Sequence, residues 1–142
     1  MQFRNNVYKM KEGRDIKASV FSKLVSTTLF EHRWGPYFVS PVIAGLDKVS
    51  ENEYQPVICT YDSIGYRSHS GQFEVAGTGG ELLYGVCESF YKDNMEPEEL
   101  FEVISNCLLS AIDRDSLSGW GAKVYLLTPE KLTVRTLKTR QD

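Results

Sequence analysis

Few side chains in this chain are suited to covalent or metal chemistry. There are two histidines, His32 and His69, and three cysteines, Cys59, Cys87 and Cys107. The cysteines are odd in number, widely spaced and lack a C-x-x-C pair, so a zinc cluster is excluded. Their apolar neighbours predict buried free thiols in a reducing compartment. A serine hydrolase needs a nucleophile elbow, but Ser118 lies in Ser116-Leu117-Ser118-Gly119 rather than G-x-S-x-G. Such an enzyme would also require His32 and an acid beside Ser118. The Thr27-Thr28 dipeptide falls inside a helical pattern, where hydroxyls belong to the helix face. Asp62-Ser63-Ile64-Gly65 is ordinary turn chemistry, with Asp62 capping the turn. The tail residues Arg135, Lys138 and Arg140 read as a solvated terminus. With a net charge of −3 and mixed signs, phosphate binding has little support.

Several elements must position these groups. Phe3, Val7 and Met10 share one face of a helix from Gln2 to Lys11, which Gly13 ends. A second helix covers Lys17 to Arg33, with Val20, Phe21, Leu24, Val25, Thr28 and Leu29 on one face and Gly35-Pro36 as its stop. Pro41 to Asp47 is nearly all apolar, as in a strand covered on both faces. Further strands are expected at Pro56 to Tyr61 and Phe73 to Ala76. A third helix spans Glu81 to Tyr91 and buries Leu82, Leu83, Val86 and Phe90. A fourth opens at Pro97 with Glu98 and Glu99 at its positive end. Its buried stripe is Leu100, Phe101, Ile104, Cys107, Leu108 and Ala111. Strands at Lys123 to Leu127 and Leu132 to Leu137 flank a Thr128-Pro129-Glu130-Lys131 hairpin turn. The order predicts an α+β fold, read as one domain over residues 1–142. No apolar run approaches the roughly 20 residues that span a bilayer, and Met1 to Asn6 lacks the apolar stretch of a secretory signal.

Three motifs in order carry a resemblance. Arg114-Asp115-Ser116-Leu117-Ser118-Gly119-Trp120-Gly121 resembles the helix-end signature R-D-x-x-S-G-x-G of proteasome-type beta subunits. Pro41-Val42-Ile43-Ala44-Gly45-Leu46-Asp47 is similar to that family's apolar strand ending in G-x-D. Gly77-Thr78-Gly79 stands where the family has G-S-G before a helix. Lys11 to Arg14, Trp34 to Phe38 and the ending Arg135 to Asp142 further resemble one of the family's non-cleaving branches.

The resemblance implies the N-terminal nucleophile hydrolase fold, a four-layer α/β/β/α sandwich of antiparallel sheets. It places the family's opening strands before Met1, so an N-terminally incomplete chain with bare apolar edges is expected. Active members use an N-terminal threonine whose own amine, with a pKa near 8, accepts the proton. This chain is expected to lack that nucleophile and to be a non-catalytic part of a threonine-type endopeptidase complex. Asp115, Ser118 and Thr78 match support positions beside the threonine; without it their role is structural, bonding orphan groups at a helix end. The resemblance also implies a Mg²⁺-like ion on the backbone carbonyls of Ile112, Asp115 and Ser118, with Asp142 reaching such a site on a partner. Asp62 would line a neighbouring subunit's substrate cleft and favour basic side chains there. No other cofactor is expected. The implied partners are proteasome alpha and beta subunits in stacked seven-membered rings of the 20S core, serving ubiquitin-dependent degradation in cytoplasm and nucleus. Trp34, Tyr37, Phe38 and the tail from Thr133 are candidate contacts. A free-standing α+β binding module is the competing reading, and it predicts a completely covered sheet.

Overall fold

The computed structural model describes all residues, 1–142, as two compact units, 1–74 and 75–142. In the first, α1 (Gln2–Glu12) ends at Gly13, whose left-handed φ of 67° lets its N–H reach the Lys9 carbonyl at 2.9 Å. Helix α2 (Ala18–Glu31) stops two residues before the expected Arg33. Strands β1 (Val42–Ser50) and β2 (Glu53–Tyr61) form an antiparallel hairpin, with Ile43 opposite Cys59 and Leu46 opposite Pro56. Pro56 is tolerated because the far side of β2 pairs only at Thr60 and Tyr61, with β3 (Arg67–Ser68). The core is Val25, Leu29, Val57, Cys59 and Tyr61, with Ala18, Phe21 and Ile43 packed against it. The Tyr61 hydroxyl donates to the Ser22 carbonyl at 2.6 Å, satisfying a buried polar group.

The second unit contains α3 (Gly80–Phe90), α4 (Pro97–Ile112) and the antiparallel hairpin of β4 (Ala122–Leu127) with β5 (Leu132–Leu137). Pro97 and the first-turn Glu98 and Glu99 start α4 as the sequence predicts. Arg135 of β5 grips the same turn, donating to both Glu98 oxygens at 2.8 and 2.7 Å with its guanidinium 4.3 Å from the Phe101 ring. Cys59, Cys87 and Cys107 are all buried free thiols, as expected.

Three expectations fail. No strand forms at Phe73 to Ala76; the short β3 takes its place beside β2. Gly71 and Gly77 hold φ of 82° and 98°, and the Glu74 carboxylate turns onto Thr60, Ser68 and Ser70. Those polar bonds tie the segment down by its side chain rather than by a ladder. Strand β1 is not covered on both faces: Val42 and Ala44 are exposed, because α2 supplies cover only on the side of Ile43 and Gly45. Val20, Leu82, Phe90 and Ile104 are also exposed despite their helical spacing. In α2 and α4 the small polar Ser22 and Ser105 are buried instead, each bonding a carbonyl of its own helix.

Candidate functional site

The turn that ends α4 meets the Gly-rich approach to α3. Backbone N–H groups of Arg114, Asp115 and Ser118 donate to the carbonyls of Ala111, Ile112 and Asp115, winding the chain just past the helix. Gly77, with φ 98°, turns the incoming loop, and its carbonyl accepts the Gly80 N–H at 3.1 Å. This brings together three expected positions that are 37 and 3 residues apart in sequence. Thr78 Oγ1 donates to Asp115 Oδ2 at 2.5 Å, and Ser118 Oγ donates to the same oxygen at 2.8 Å. The Leu117 N–H occupies Oδ1 at 3.1 Å. A Cβ at Gly79 would lie 3.4 Å from Asp115 Oδ2, so the loop passes close above the carboxylate.

The Thr78 hydroxyl, then the Leu117 N–H and the Ser118 hydroxyl, hold the Asp115 carboxyl below its ordinary value. A carboxylate held below its ordinary value and accepting three hydrogen bonds is a poor general base near neutral pH. The arrangement instead staples the start of α3 to the end of α4.

Ile112, Asp115 and Ser118 line one cavity together with Arg114, Arg140 and Asp142. Each of the Ile112 and Asp115 carbonyls accepts one backbone N–H, which leaves a second lone pair free for a hard cation. No group of three His, Cys, Asp or Glu side chains is placed to hold a metal ion. Asp142 closes the cavity of its own chain, paired to Arg140 at 2.6 Å.

Asp62 adopts the capping role: its Oδ1 accepts the N–H groups of Ile64 and Tyr66 at 3.1 and 2.8 Å. The turn then rests on α2 through Gly65, whose carbonyl accepts the Ser26 hydroxyl at 2.6 Å. The histidines are engaged elsewhere. His32 lies beside the Thr28 carbonyl and stacks near Tyr37, while His69 bonds the Ile58 carbonyl at 2.7 Å. Ser118, bonded to Asp115 and Thr78, has no histidine partner, so a Ser–His pair is not formed. Past the end of α2, Arg33 stacks on Phe30 and Trp34, and Trp34 and Phe38 are 89% and 93% exposed.

The family described as "Proteasome subunit" matches residues 1–127. The chain belongs to the proteasome subunit family. A proteasome subunit beta type-3 of Picea mariana is 54% identical over 140 residues, covering 99% of this chain and 67% of that protein. Proteins of the same description from Drosophila melanogaster and Saccharomyces cerevisiae are each 48% identical, over 100% and 99% of this chain and 68% and 67% of theirs.

Within this proteasome-family chain, the G-x-D strand end has a physical basis that the motif alone does not reveal. Asp47 Oδ1 accepts the Ala18 N–H at 2.6 Å; Oδ2 accepts the Ser19 N–H at 3.1 Å and the Ser19 hydroxyl at 2.5 Å. The capping position itself, Lys17, provides no side-chain cap to α2. Gly45 lets the helix approach, since a Cβ there would lie 2.5 Å from Ala18 Cβ. Sequence reasoning noted the motif but gave Asp47 no role. The missing N-cap before Ala18 is the signal that could have found it.

Proposed function

We propose that this chain is a non-cleaving, structural beta-type subunit of the 20S proteasome core, acting with other alpha and beta subunits in ubiquitin-dependent protein degradation. The observation that carries the non-cleaving reading is the Asp115 carboxylate, which accepts three bonds from within its own turn and loop, with both hydroxyl partners on one oxygen. The close identity to beta type-3 subunits over nearly the whole chain supports the subunit reading. Nothing favours a free-standing module: apolar residues such as Val42, Tyr125 and Val134 are exposed on both hairpins. The antiparallel sheets and flanking helices fit the four-layer sandwich of the N-terminal nucleophile hydrolases.

The proposal extends to stacked rings in cytoplasm and nucleus, with Trp34, Tyr37 and Phe38 as contact residues. Exposed Trp, Tyr and Arg side chains on an ordered turn are what binding hot spots are made of. It also includes a structural Mg²⁺ on the carbonyls of Ile112, Asp115 and Ser118, and a cleft role for Asp62 toward the adjacent active subunit. That role leaves the Asp62 cap in place, because only Oδ1 is bonded within the turn.

The test is co-purification of the tagged chain followed by mass spectrometry. Recovery of proteasome alpha and beta subunits is expected, reduced by Trp34→Ala. Recovery of none would overturn the reading. In an assembled particle, Ser118→Ala should leave every peptidase activity in place, whereas loss of one would make the chain catalytic. Asp62→Asn should weaken cleavage after basic residues at the neighbour, and an unchanged preference would refute the cleft role.

A further inference from the structure

Helices α3 and α4 meet through small side chains. The buried residues of α3 are Gly80 and Cys87, and α4 buries Cys107 and Ala111 one turn apart. Residues seven apart share one face of a helix, as do residues four apart. The start of α3 shows which way the α4 face looks, because a Cβ on Gly79 would lie 3.9 Å from Ala111 Cβ. Cys107, on the same face as Ala111, therefore looks toward α3. Cys87 looks toward α4, and the two side chains hydrogen-bond across the contact. The third thiol, Cys59, has Arg67 and His69 beside its sulfur instead. No third His, Cys, Asp or Glu joins Cys87 and Cys107 to make a zinc site. The chemistry open to this pair is sulfur on sulfur.

We infer that Cys87 and Cys107 form a dithiol oxidation site, where a peroxide converts the pair to a disulfide between α3 and α4. One sulfur attacks a peroxide oxygen and the O–O bond breaks, giving a sulfenic acid and one water. The second sulfur attacks the first, the S–O bond breaks, and a second water leaves. Two thiols and one hydrogen peroxide thus give one disulfide and two waters. The sulfurs lose two electrons and the peroxide gains them. Cys87 is 7% exposed and Cys107 1%, so the oxidant meets Cys87 first and Cys107 resolves it. Burial, and then Cys107, push the Cys87 thiol up to about 12, so thiolate is scarce near neutral pH and the first step is slow. The site therefore answers sustained oxidant rather than a brief pulse. The bridge ties the two helices at a second place, besides the Thr78 bond to Asp115. It lies within one chain and does not depend on the ring role.

The experiment exposes the folded full chain to hydrogen peroxide, blocks the remaining thiols with an alkylating reagent in urea, and maps the peptides without reduction. Trypsin separates the two cysteines at Lys92. A linked pair of Cys87 and Cys107 peptides is expected, lighter than its separate parts by two hydrogens and released by dithiothreitol, with Cys59 outside it. The same oxidation in urea should spread the pairing to Cys59. Cys107→Ala should abolish the linked pair and leave a Cys87 sulfenic acid that dimedone captures. In the folded wild type, three results would each overturn the inference: Cys87 and Cys107 alkylated separately, Cys87 carried to the sulfinic acid without a bridge, or pairing with Cys59 as frequent as with each other. The wild-type map alone decides the matter if Cys107→Ala disturbs the fold by circular dichroism.

Discussion

Removal of the Asp47 carboxylate tests how the strand holds the helix. Asp47→Ala deletes the acceptor for two backbone N–H groups and one hydroxyl at the start of α2. No side chain at Lys17 can replace it. An N-cap is worth about 0.5–2 kcal/mol, and hydrogen bonds to a charged group lie near the upper end of the range. A loss of about 1–2 kcal/mol is expected, or roughly a 5- to 30-fold shift toward the unfolded chain. Asp47→Asn keeps an acceptor but no charge at the positive helix end and should cost roughly half as much. Urea denaturation followed by circular dichroism reads the loss, and exchange of the Ala18 and Ser19 amides localises it.

The pH dependence supplies a second check. Burial pushes the Asp47 pKa up, but the Ser19 hydroxyl and the Ser19 and Ala18 amides outweigh it, so the folded value lies below the ordinary 3.8. Asp47 therefore stabilises fully above that value, and its contribution disappears as the pH falls through the depressed one. The gap between wild type and Asp47→Ala should be constant near neutrality and close in strong acid. Equal denaturation midpoints at neutral pH, or a gap that persists at low pH, would refute the capping argument.

Gly45→Ala should cost about 1–3 kcal/mol by overpacking, and Ala18→Gly should rescue part of it in the double variant, as read by urea denaturation. Gly65→Ala should be worse tolerated: its φ is 96° and the new methyl would meet the Ser26 carbonyl oxygen at 2.4 Å, so the melting temperature should fall markedly. The Cys87 thiol is pushed up to about 12 by burial and by Cys107, so a disulfide-exchange reagent at pH 8 should label it only after denaturation. Thr78→Ala should raise the Asp115 pKa toward its ordinary value, visible as a shift of the carboxyl NMR titration.

Local features were legible in the sequence because their causes are local. The Asp62 to Gly65 turn, the Thr128 to Lys131 hairpin and the Pro97 helix start each follow from a few adjacent residues. Apolar periodicity was less informative. Val20, Leu82, Phe90 and Ile104 keep the helical spacing but stay exposed, because spacing says which residues share a face and not what covers it. The Phe73 to Ala76 segment misled because Glu74 bonds side chains up to 14 residues away. The Asp115, Ser118 and Thr78 cluster was reached only through the motif resemblance, since no local rule joins residues 37 apart. Asp47 was missed for the same reason, at a separation of 29.

The Gly45 and Asp47 contact has a consequence at a distance. Helix α2 is 14 residues long, about 21 Å at 1.5 Å per residue, and it is clamped at its first turn. It is held again further along, where Val25 and Leu29 enter the core and the Ser26 hydroxyl donates to the Gly65 carbonyl. A rod pinned near both ends cannot tilt at one of them alone. The strand carboxylate and the turn glycine therefore share the aim of the aromatic turn past the helix end, and loosening either would leave the other as a hinge.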